Sequence, residues 1–91
     1  MDPAEVQAHV TEELLQKLAE TRFLHVGLMN RIEGRIRTRD QLERYVGVLV
    51  EKLEATGYRS ETLVDRIDRN VSLLERLDRQ SDGHRQTAET H

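Results

Sequence analysis

The chain has 91 residues, of which 36% are hydrophobic and 34% charged, and a formal net charge of −3. One domain fits this length, the composition is too apolar for a disordered segment, and the slight acidity argues against general nucleic-acid binding. The absence of cysteine excludes disulfides, thiol nucleophiles and cysteine-ligated zinc, and with Phe23, Tyr45 and Tyr58 as the only aromatics a stacking site for bases or sugars is not expected.

Asp2, Pro3 and Glu5 read as a helix start, with an N-cap carboxylate, a proline at the first helical position and a capping-box glutamate. The N-terminus lacks the basic, apolar and cleavage regions of a signal peptide, and no run approaches the ~20 apolar residues of a membrane span. A cytoplasmic chain with no membrane partner is therefore expected. Val6, Val10, Leu14, Leu18, Thr21, His25, Leu28, Met29, Ile32 and Ile36 hold one helical phase and predict a single helix over 3–36, roughly 50 Å long at 1.5 Å per residue. Gly27 and Gly34 each cost about 1 kcal/mol relative to alanine, so the alternative is a kink or break near Thr21 to Gly27. Leu15, Ala19, Phe23 and Val26 form a second patch roughly 100° to 180° from the main stripe, and a helix with two apolar faces is normally covered on two sides.

Thr38 with Gln41, or Asp40 with Glu43, makes a capping box for a second helix with the stripe Leu42, Val46, Leu49, Val50 and Leu53. Val48 points away from that stripe. Gly57 ends this helix in the left-handed position, with Tyr58 folding back on Leu53. Ser60 opens a third helix, about 61–80. There Leu63, Ile67, Asn70, Leu74 and Leu77 step by four, three, four and three, flanked by Val64 and Val71 and opposed by Asp65, Asp68, Arg69, Ser72 and Arg76. Asp82 and Gly83 stop it, which gives a single helical domain at 1–82 and a flexible tail at 83–91.

These elements predict an all-α fold: a small helical bundle of one long helix, straight or kinked, plus a two-helix antiparallel hairpin. The long helix overhangs the hairpin by roughly 20 Å or more. Either it breaks, giving a four-helix monomer, or dimerisation covers the overhang, and the second patch favours dimerisation. The partner interface is then Leu15, Ala19, Phe23 and Val26, with Val48 as an outlier and Asn70 as a device fixing register. Arg31, Arg35, Arg37, Arg39 and Arg44 surround the first turn. They read either as an anion-binding patch for an acidic partner or a nucleic-acid backbone, or as a solvated turn that neutralises the end of the first helix. His25 reads as a hydrogen-bonded stripe histidine. His9 with Glu12 or Glu13 has a metal-like spacing, but no glutamate has a histidine three residues on, so no metal or other cofactor is expected.

The layout of one long helix and two shorter ones resembles the AroQ class of chorismate mutases, which are intertwined all-helical dimers. The stretch from Glu13-Leu14-Leu15 through Ala19-Glu20-Thr21-Arg22 looks like the first helix of that family. The resemblance implies that Arg22 grips a substrate carboxylate and that Asp40, Glu43 and Arg44 lie near the family's acidic and basic positions on the second helix. The chain departs from the pattern in having no arginine within residues 1–21 and in placing Glu33 near the family's lysine. An enzyme that clamps a dianion needs those cations. The expected function is a non-enzymatic helical module for protein–protein interaction or oligomerisation, a small adaptor or regulatory subunit that binds a second copy or another helical protein. The alternatives are a regulator that binds nucleic acid or an acidic partner through Arg31 to Arg44, and a chorismate-mutase-like enzyme.

Overall fold

In the computed structural model, which describes residues 2–22, 25–57 and 60–89 with side chains through residue 80, the described residues form helices and no strand. The helices are α1 (Pro3–Glu20), α2 (Val26–Glu33), α3 (Arg39–Ala55) and α4 (Glu61–Glu89). The bundle is all-α, as the periodicity predicts. The long first helix, however, is two helices, so the chain takes the four-helix alternative.

Backbone bonding at Thr21 explains the break. Thr21 is extended at φ −74° and ψ 132°, and its Oγ1 donates to the Lys17 carbonyl at 2.8 Å. In a continuous helix the Thr21 carbonyl would accept from residue 25. Here it accepts from Lys52 Nζ of α3. His25 then becomes the N-cap of α2, its Nδ1 accepting from the Leu28 N–H at 3.0 Å. Lys52 is itself buried, and burial holds its pKa below the ordinary lysine value. Its ammonium sits at the C-terminal end of α1, where the helix dipole favours a cation.

The cross-links fix the helix directions. Glu12 accepts from Arg44 and Thr21 from Lys52, so α1 and α3 run parallel. Arg39 holds Asp78, so α3 and α4 run antiparallel. α1 packs on α2 and on α3, and α3 packs on α4. One core collects Leu15 and Leu18 of α1, Leu28, Met29 and Ile32 of α2, Tyr45, Val48, Leu49 and Leu53 of α3, and Leu63 of α4. α3 is buried on two flanks because helices lie on both sides of it. Val48, which departs from the predicted stripe, meets its second contact inside the same chain.

Asp2 caps α1, its carboxylate accepting from the Ala4 N–H at 3.4 Å, without the reciprocal Glu5 bond of a capping box among the described residues. Thr38 and Gln41 form the full capping box of α3, with the Gln41 N–H donating to Thr38 Oγ1 at 3.1 Å. Thr38→Ala is expected to cost about 1 kcal/mol, read as a lower urea midpoint at unchanged slope. Gly57 closes α3 with φ 72°, a left-handed conformation that glycine adopts without steric cost. Tyr58 lies outside the described residues. The Leu63 N–H donates to Ser60 Oγ at 3.2 Å at the start of α4.

α4 does not stop at Asp82 and Gly83 but runs on to Glu89. A helical glycine costs only about 1 kcal/mol, and no proline follows to enforce a stop. Because Asp78 lies beside Arg39, the first residue of α3, the rest of α4 extends beyond its neighbour. The radius of gyration is accordingly 15.3 Å, against about 12 Å for a compact chain of this length.

Candidate functional site

The structure separates the residues of the predicted interface. Leu15 has no exposure and Val48 only 9%, and both belong to the core. Neither is available to a partner, because the break after Glu20 lets α2 and α3 cover the face that a straight helix would leave open. Ala19 is exposed and Val26 is 44% exposed. Phe23 lies outside the described residues. Asn70 is buried at 4% exposure, and its Nδ2 donates to the Arg66 carbonyl one turn back at 2.8 Å, so the amide is engaged within its own helix.

The arginines around the first turn do not form one patch. Arg39 spans Glu43 at 2.5 Å and Asp78 at 2.7 Å, the latter through two parallel bonds. Those bonds raise the Arg39 pKa further and draw the Asp78 carboxyl below its usual range. Arg44 is paired with Glu12. Arg37 donates to the carbonyls of Gly34 and Ile36, capping the end of α2, while Arg35 is half-buried with Nε unpartnered. Arg31 is exposed. Two of the five arginines are thus committed to carboxylates of this chain, which weakens the anion-binding reading.

A polar node that sequence reading missed joins α2 to α3 and α4. Arg66 of α4, 8% exposed, donates through Nη1 to Glu33 Oε2 at 2.7 Å and through Nη2 to Asn30 Oδ1 at 2.8 Å. The fully buried Tyr45 hydroxyl donates to the same Glu33 oxygen. Burial, and then the hydrogen bond and charge of Glu33, push the Tyr45 phenol well above its ordinary value. The only sequence signal for this node was a pair of polar-ended residues set one turn after core leucines, Tyr45 after Leu42 and Arg66 after Leu63. The shared carboxylate came from a different helix.

Beside this node lies a groove of about 440 Å³ between the start of α3, the α2–α3 turn and the outer half of α4. Ile36, Leu42, Leu73 and Leu77 give it an apolar lining, and Arg37, Arg39 and Arg76 edge it. Leu73 and Leu77 are 39% and 40% exposed. Among the described residues, Arg37 and Arg76 have no carboxylate within ion-pair distance.

No family model, curated protein or solved structure matches the chain. The site therefore rests on geometry alone. The residues matched to the chorismate mutase pattern do not come together. Arg22 lines a hollow with Glu51 and Lys52 near the end of α3, whereas Asp40, Glu43 and Arg44 lie near its start. Eight residues separate Arg44 from Lys52, about 12 Å along the helix. Among the described residues, no group of three or more His, Asp or Glu is placed to hold a metal, and no helix is long and apolar enough to cross a membrane.

Proposed function

We propose that the chain is a non-enzymatic helical interaction and oligomerisation module, a small adaptor or regulatory subunit that docks a helical partner in the α3–α4 groove. The observation that carries this reading is the pair Leu73 and Leu77. They stand one turn apart on α4 with about two-fifths of their surface exposed, beside Ile36 and Leu42. Two leucines at i and i+4 over an apolar floor match the anchor spacing of a helix laid into a groove. Arg37 and Arg76 at the edge favour a partner that brings carboxylates. A cytoplasmic location belongs to the same reading and is supported by the absence of cysteine.

The test is native mass spectrometry of the protein isolated gently from its own cells, as wild type and as Leu77→Glu. The wild type should carry mass beyond one chain, as a second copy or a different protein. The variant should return to the single-chain mass with unchanged helicity by circular dichroism. A wild-type mass of one chain, or a complex that survives in Leu77→Glu, would sink the reading.

A further inference from the structure

α1 carries an apolar stripe that the bundle covers only in part, with Leu14 packed against the core and Val6 left exposed. Its buried residues are Thr11, Leu15 and Leu18. The stripe Val6, Val10 and Leu14, which the periodicity places on the main face, instead has Val6 39% exposed and Val10 and Leu14 half-buried. Along this half of α1 the carboxylates Asp2, Glu5, Glu12 and Glu13 outnumber the one cation, Lys17, which lines a hollow with Val10 and Leu14. Among the described residues only Glu12 is tied to an arginine, and Glu13 faces His9 at 3.9 Å.

This ridge is the counterpart of the groove, apolar along its centre and acidic where the groove edge is basic. The two also border the same end of the bundle. Arg37 and Thr38 line the groove on one side and, on the other, the hollow beside Ala4, Gln7 and Ala8 of α1. Resting on the groove reading above, we infer that the occupant of the groove is the first half of α1 from a second copy of this chain. A two-fold axis near the α2–α3 turn lays each α1 into the other copy's groove. Such a reciprocal exchange makes the contact twice and closes the assembly at two chains. Two copies of the contact compensate for anchors that are individually small. The charges of Arg37, Arg76, Glu5 and Glu13 set its polarity.

The experiment uses purified full-length chain in sedimentation velocity across the micromolar range, as wild type, Val6→Glu, Leu77→Glu and an equimolar mixture of the two variants. Both substituted positions are on exposed helix faces, and circular dichroism checks their helicity. The expected result is a wild-type dimer, with association weakened at least about tenfold towards monomer in each variant alone. The mixture should recover part of the dimer, because one of its two contacts, the groove of Val6→Glu holding the α1 of Leu77→Glu, is intact. Arg76→Glu, a surface change that spares the apolar packing, should weaken the dimer in the same direction and reduce its sensitivity to salt. If Val6→Glu dimerises like the wild type while Leu77→Glu does not, the groove stands and α1 is not its occupant. A purified wild type that stays monomeric, or a mixture without recovery, also overturns the inference. Extra mass from a different protein in the gently isolated sample would leave the groove reading intact. If Leu77→Glu alone stays dimeric, the groove reading falls with the inference.

Discussion

Glu33→Ala is expected to cost about 3 kcal/mol, the largest effect of any single polar substitution in this chain. Glu33 is the shared acceptor for Tyr45 and Arg66, whose side chain is 10% exposed against 24% for Glu33. Deleting it leaves a buried phenol and a largely buried guanidinium without their carboxylate. Arg69, at 3.9 Å from Glu33 and mostly exposed, loses little. A chain of this length has a stability of roughly 5 to 14 kcal/mol, so thermal unfolding should drop by more than about 10 °C. Replacing Glu33 and Arg66 together by leucine should cost less than Glu33→Ala, because no orphaned charge remains. Equal losses in the single and double variants would show that the node contributes through packing rather than charge pairing.

The same node predicts a limb of alkaline instability. The folded Tyr45 phenol holds its proton above the ordinary value of 10.0, while the unfolded chain releases it near that value. Above pH 10 the unfolded state thus binds fewer protons, and stability falls as pH rises towards the folded pKa. Lys52 acts in the opposite sense below its ordinary value of 10.5, because its lowered folded pKa makes stability rise with pH in that window. The comparison of wild type with Tyr45→Phe isolates the tyrosine. The variant should be less stable at neutral pH by about 1 kcal/mol and should show a shallower decline above pH 10 in urea titrations.

Leu15→Ala is the second large effect, expected at about 3 kcal/mol. Leu15 has no exposed surface and belongs to a core cluster drawn from all four helices. As a partner residue it would change the assembly and leave the fold intact; as a core residue it lowers the urea midpoint at every protein concentration. Ala19→Asp, on the exposed side of the same helix, should stay within about 0.5 kcal/mol. A Leu15→Ala variant of normal stability but altered mass would restore the interface that the sequence suggests.

Much of this architecture is legible in the sequence. The all-α class, the second helix from Thr38 to Gly57 and the start of the third at Ser60 follow from caps and periodicity that act within a few residues. Thr38 needs only Gln41, Ser60 only Leu63, and Gly57 only its own φ. The exposure of Leu73 and Leu77 is different in kind, since Leu77 shares its stripe with the buried Leu63 and Leu73 lies outside that stripe.

Three outcomes were decided by tertiary structure alone. The long helix broke because Lys52, 31 residues away, supplies the Thr21 carbonyl with a donor that helical phase does not register. Leu15 became core and Val6 remained outside because the break let α2 fold back along α1, so that the covered face is Thr11, Leu15 and Leu18. Glu33, which the sequence places between Arg31 and Arg35, became the junction for Tyr45 and Arg66 because α3 and α4 bring both donors to it. The sequence by itself determined which segments are helical and which residues are apolar, since caps and periodicity are local. Which apolar face each helix covers, and which charge meets which, depended on contacts between residues far apart in the chain.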